Sequence, residues 1–237
     1  MTRHSTLLLA TLLLGITACD KADKTQGAQA KTDEAKPAEQ ATPDAPDADE
    51  AKAADSKPAD PKPNAATDVR TVASGLDVDM RFAAFDIINC DSGDKYCQVC
   101  KYGPSPKIMA VGTIDDAGFK QDLQDLDALL KKYGDDKIKA FAVIADARED
   151  GALVTPLANK DDLQAKAKAL KEELGLSFPV VLPAPKGEEL NGIFEDHYQI
   201  KQSRTIMFAD GQNKVKYSEV APADKAGLDQ AIKAVVG

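Results

Sequence analysis

Between Asp20 and Asp68 the chain contains no Val, Ile, Leu, Met, Phe, Trp, Tyr or Cys. Ala, Asp, Glu, Lys, Pro, Thr and Gln make up nearly all of this stretch. Such a segment cannot bury enough apolar surface to offset the entropy of ordering its own backbone. Alanine favours helix, but Pro37, Pro43, Pro46, Pro58, Pro61 and Pro63 interrupt every window long enough to propagate one. Every core residue of a folded unit must therefore come from 69–237, and 20–68 reads as a solvated tether. As a coil its ends would lie roughly 40 Å apart, more with proline stiffening. It holds twelve acids and seven lysines, about half of the net charge of −9. That balance implies no affinity for nucleic acid or for an anionic lipid surface.

What precedes the tether looks like an address. Met1-Thr2-Arg3-His4 carries one firm positive charge, and Leu7 to Ile16 is an apolar run. At about ten residues the run suits a signal-peptide core and falls short of a membrane span of about twenty. It ends in Ile16-Thr17-Ala18-Cys19, which resembles the bacterial lipobox. The resemblance implies a signal peptide at 1–18, lipidation of Cys19, and a lipidated tether at 19–68. It implies a location in the bacterial cell envelope, with the membrane as partner through the lipid and the domain outside the cytoplasm. An ordinary secretory signal with a chance cysteine is the alternative. Asp20 next to the lipid cysteine resembles an inner-membrane retention signal of enteric bacteria.

Residues 69–237 suffice for one domain with its own core. Val78, Met80 and Phe82 alternate, and Phe85, Ile87 and Ile88 follow, which predicts an N-terminal hairpin or two short strands. Lys107 to Gly112 reads as a buried strand. Phe119, Leu123, Leu126, Leu129, Leu130 and Tyr133 fall at helical spacing, with Gly134 as the stop. Ile138 to Ala145 is a continuous apolar run of the central-strand kind. Leu163, Ala167, Leu170 and Leu174 stripe a second helix ended by Gly175, and Phe178 to Leu182 is another strand. Leu190, Ile193 and Phe194 suggest a short helix. Thr205 to Ala209 and Val215 to Val220 flank Asp210-Gly211-Gln212-Asn213, a hairpin signature. Leu228, Ala231, Ile232 and Val235 form the last helix.

Strands alternating with helices predict a parallel sheet covered on both faces, with the late hairpin as an antiparallel edge. This order resembles the thioredoxin-like fold in its TlpA and peroxiredoxin branch. The likeness is most specific in Leu176-Ser177-Phe178-Pro179-Val180-Val181-Leu182, which looks like that branch's inserted strand. It is also carried by Tyr198-Gln199-Ile200 leading to Thr205-Ile206-Met207-Phe208-Ala209-Asp210-Gly211. It implies an α/β three-layer fold, a mixed central sheet with helices on both faces. A generic doubly wound α/β domain is the alternative.

Two departures matter. The family's reactive cysteine follows the first central strand, and here that place reads Thr113-Ile114-Asp115-Asp116-Ala117-Gly118, with no cysteine. The family's cis-proline before the next-to-last strand is replaced by Arg204. No catalytic residue is carried over from the family.

Three cysteines cluster instead before the first central strand, at Cys90, Cys97 and Cys100. Cys97-Gln98-Val99-Cys100 is a C-x-x-C, a weak signal alone. Asp94 could cap a helical turn with Cys97 at its third position, Lys95 and Lys101 add positive charge, and Gly103 can close the turn. Those features would lower the Cys97 pKa and make it the attacking sulfur, with Cys100 resolving. Asp91 and Asp94 oppose this. Three outcomes stay open: a redox-active pair acting on an envelope thiol or disulfide partner; a stapling disulfide in a degenerate binding domain, with Cys90 as a pairing candidate; and a Cu or Zn site of Cys90, Cys97 and Cys100. Covalent haem is excluded, because Lys101 stands where C-x-x-C-H needs histidine, and no other cofactor is indicated. His197 reads as a surface residue. Asp115-Asp116 and Asp135-Asp136 read as solvated acids, and Lys166, Lys168 and Lys171 as a solvated helix face.

Overall fold

The computed structural model describes residues 71–222 and 224–237. The signal peptide, Cys19 and the tether lie outside the described residues. Strand β1 (Asp86–Asn89) and β2 (Lys95–Cys97) lead into a single turn of helix, α1 (Gln98–Tyr102), and then β3 (Lys107–Gly112) and α2 (Ala117–Tyr133). After β4 (Lys139–Ile144) comes a small hairpin, β5 (Asp146–Ala147) and β6 (Leu153–Val154), followed by α3 (Lys160–Leu174) and β7 (Val180–Pro183). A π-helical turn (Ile193–Tyr198), β8 (Thr205–Ala209), β9 (Val215–Val220) and α4 (Lys225–Val236) complete the chain.

Seven strands form one sheet in the order β2-β1-β7-β4-β3-β8-β9. Only β3/β4 and β4/β7 pair in parallel; the remaining pairs are antiparallel. The sheet is thus more mixed than the predicted parallel sheet with one antiparallel edge, because β1 and β2 add a second antiparallel edge. Alternation along β3 sorts its side chains. Ile108 and Ala110 face a core shared with α2, α3 and α4, while Met109 and Val111 face one shared with Phe82, Phe85, Val99, Phe194 and Tyr198. Both faces are covered, as in the expected three-layer α/β fold. Ala142, Val143 and Ile144 on β4 are fully buried. Among the described residues no helix is long and apolar enough to cross a membrane.

The expected N-terminal hairpin is displaced. Residues 78–82 form no strand, and Val78 is 54% exposed. That segment instead runs beside the β8–β9 hairpin, bonding Phe82 N–H to the Asn213 carbonyl and joining Arg81 to Lys214 in an isolated bridge. Asp79 has φ of 67°, which breaks the extended backbone that a strand requires. The real hairpin is β1–β2, whose second strand has too few apolar residues to read as one; it delivers Cys97 to the start of α1.

Candidate functional site

Cys97 and Cys100 form a disulfide with Cα atoms 5.2 Å apart. Asp94 does not cap the turn, contrary to expectation: Lys95–Cys97 is extended, and Cys97 itself is the N-cap. The Cys100 N–H donates to Cys97 Sγ at 3.1 Å. Gly103 closes the turn with its N–H on the Cys100 carbonyl, as the sequence suggested. Lys101 stands 4.9 Å from the centre of the Tyr96 ring. Cys97 is half-buried against the core beneath α1, whereas Cys100 is exposed.

Cys90 does not join them. It is 2% exposed and belongs to the core on the other face of the sheet, the face of α2, α3 and α4. Burial, and to a lesser degree the carboxylate of Asp91, push its thiol up to about 12. A thiol held neutral in that way is a poor nucleophile and a poor metal ligand. Among the described residues no group of three His, Cys, Asp or Glu side chains converges to hold a metal ion.

The disulfide borders a groove of about 400 Å3, within the range of small-molecule sites. Cys100, Val99, Gly103 and Pro104 form one wall, and Gly211, Gln212 and Asn213 of the β8–β9 turn form the other, with Arg81 and Phe82 between. Gly211 makes this junction feasible, since a Cβ there would lie 2.5 Å from the Pro104 carbonyl oxygen. Beneath the groove Lys107 is fully buried, its ammonium donating to the Gly103 carbonyl at 2.8 Å and to Asn213 Oδ1. Burial lowers its pKa, and Asp210 offsets part of the shift. Inside the ring itself Gln98 is 1% exposed; its amide makes no hydrogen bond of ordinary geometry and has the Tyr102 hydroxyl as its polar neighbour.

The place where the family resemblance puts a reactive cysteine is at the other end of the sheet. There Asp116 caps α2, accepting from Gly118 and Phe119 N–H at 2.9 and 3.1 Å. Arg204, at φ of 63°, makes a two-pronged ion pair with the buried Asp122, at 2.8 and 2.9 Å. The β3 strand separates this end from the disulfide; six residues of strand span about 20 Å. Two other expectations change. His197 is half-buried, with Nε2 2.7 Å from the Arg81 carbonyl oxygen. Lys171 is not merely solvated, since it pairs with Asp91. Sequence alone assigns no role to Lys107, Gln98 or Arg81; a lysine opening an otherwise apolar strand is the one available signal.

No protein-family model and no curated protein matches the chain. Solved structures do. A Chlorobium tepidum protein described as a thiol:disulfide interchange protein of DsbE type matches with a TM-score of 0.51 at 20% identity, over 68% of this chain and 99% of its own. The thioredoxin domain of a Bacteroides vulgatus thiol-disulfide oxidoreductase gives 0.51 at 15% identity, over 68% and 99%. An uncharacterised Geobacillus kaustophilus protein gives 0.52 at 15%, over 70% and 85%. The fold is thioredoxin-like; at these identities the likeness extends to the fold alone.

Proposed function

We propose that this is a lipid-anchored protein of the bacterial envelope whose thioredoxin-like domain exchanges thiols and disulfides through Cys97 and Cys100, at a site displaced from the usual one. The observation that carries the reading is the pairing itself: a local disulfide with one exposed cysteine, opening on a groove, while Cys90 is shut away. The ring spans a separation of three residues. Closing so short a loop is worth only about 2 kcal/mol in the chain-entropy account, against about 3 for a fifteen-residue loop. It is a poor staple and a better exchange site. The deciding measurement is the reduction potential of the pair. The expected value lies at roughly −120 to −210 mV, where catalysts of oxidising compartments work; a structural disulfide falls below about −300 mV.

A second reading, a non-catalytic binding domain, is favoured by the Arg204–Asp122 ion pair that occupies the usual site. A potential below about −300 mV would select it. The anchor rests on the lipobox resemblance at Cys19. Cys19→Ala should abolish palmitate labelling and move the protein out of the detergent phase; partitioning that survives the change would rule the anchor out.

A further inference from the structure

We propose that the mixed disulfide forms on Cys100, not Cys97, and that the groove beside Cys100 receives a small anionic thiol of about tripeptide size. This rests on the exchange reading given above. The assignment reverses the order suggested by sequence, in which the first cysteine attacks.

Position separates the two sulfurs. Cys100 is exposed and lines the groove, whereas Cys97 packs against the core and does not line it. An incoming thiolate that lies in the groove therefore meets Cys100. It attacks Cys100 Sγ, a new S–S bond forms there, and the Cys97–Cys100 bond breaks. The electron pair leaves on Cys97 Sγ, where the Cys100 N–H already donates at 3.1 Å. A stabilised thiolate leaves faster. A second external thiolate then attacks the external sulfur of the mixed disulfide and expels the Cys100 thiolate, which takes up a proton. Two external thiols are oxidised to one disulfide, and the domain gains two electrons and two protons.

Charge selects the occupant. Arg81 is exposed on the groove lining, and the Lys107 ammonium lies behind Gly103 and Asn213, two of its lining residues. No acid lines the groove. Asp210, in the adjoining turn, is engaged by the N–H groups of Gln212 and Lys214 and faces Lys216. A groove lined by one exposed arginine and no carboxylate, with a buried ammonium behind it, favours an anion. Its volume of about 400 Å3 is enough to hold a ligand of about tripeptide size.

The test uses the purified full-length protein and two probes, glutathione disulfide (anionic) and cystamine (cationic). With Cys97→Ser and Cys100→Ser, peptide mass mapping follows which cysteine acquires glutathione. The expected result is that Cys100 in Cys97→Ser is modified on the order of tenfold faster than Cys97 in Cys100→Ser. A faster reaction at Cys97 would overturn the assignment and leave the exchange reading standing. No modification of either, with a wild-type disulfide that resists dithiothreitol, would overturn both. For the groove, the rate ratio of glutathione disulfide to cystamine should fall on the order of tenfold in Arg81→Glu, the low end of what fixed charge does to an encounter. A smaller fall is expected in Arg81→Gln. A ratio unmoved by either change would remove the anionic occupant.

Discussion

Arg204 shows how one residue alters the meaning of a place in a fold. Its φ of 63° lies where a side chain is disfavoured, and its guanidinium holds Asp122, whose side chain is 6% exposed. Gly118 leaves the room, since a Cβ there would meet the guanidinium at 2.8 Å. Removing the partner of a fully buried charge costs about 3–5 kcal/mol. The Arg204 side chain is 28% exposed, so solvent takes part of that back. Arg204→Ala should therefore lose about 2–3 kcal/mol in denaturant unfolding. Arg204→Gly should lose about 1 kcal/mol less, because glycine accepts the positive φ without penalty. Equal losses would mean that the backbone is not strained there. An unchanged midpoint in both would mean that the ion pair contributes nothing.

Elements that carry an apolar run or a helical stripe were legible in the sequence, including the short strand around Val181 and the short helical turn beginning at Ile193. The α2 stripe from Phe119 to Leu130 repeats one face over several turns, and burial of that face specifies the helix almost alone. The strands β3, β8 and β9 are bounded as expected, because apolar runs and the Asp210-Gly211 turn mark both ends. The strand β2 and the β5–β6 hairpin are too short to carry a period, and tertiary contacts decide them; the turn of α1 and its Gly103 stop were expected, but its cap is Cys97 and not Asp94. The C-x-x-C was visible, yet its setting was not: which cysteine is exposed, and that Lys107 lies beneath, depend on the distant β8–β9 turn. Contacts between elements also give a pH prediction. Asp127 on α2 accepts from both N–H and Oγ of Ser177, at 2.7 and 2.6 Å, and pairs with Lys131. Burial pushes its carboxyl up, but the Lys131 and Ser177 hydrogen bonds outweigh that and hold it below the usual 3.8. A depressed carboxyl contributes stability above its unfolded value and loses it as pH falls through the folded one. The stability gap between wild type and Asp127→Asn should be widest near neutral pH and close below 3.8. A gap that persisted unchanged into acid would show that the charge is irrelevant and only the amide-compatible hydrogen bonds count.

Across the described residues, the disulfide and the bulk of the packing lie in different places. The two cores lie on opposite faces of the sheet, and the disulfide stands at the rim of one of them, beside the β8–β9 turn. Nothing in either core needs the S–S bond to fill it: Cys100 is exposed, and Val99 between the cysteines supplies the buried anchor at 3% exposure. The bond therefore acts on stability chiefly through its four-residue ring, worth about 2 kcal/mol. In a domain of this size that corresponds to about 4–8 °C in Tm. The double variant Cys97→Ser, Cys100→Ser should fold, unfold cooperatively, and melt within that interval of wild type. At the same time its domain should take up no glutathione from glutathione disulfide, because the buried Cys90, with its thiol raised to about 12, cannot substitute. The pair of readouts separates the two functions a disulfide can serve. A fall in Tm well beyond 8 °C would mark the bond as a structural staple whose removal opens the rim. Glutathione uptake that persisted on the domain of the double variant would move the exchange away from this site altogether.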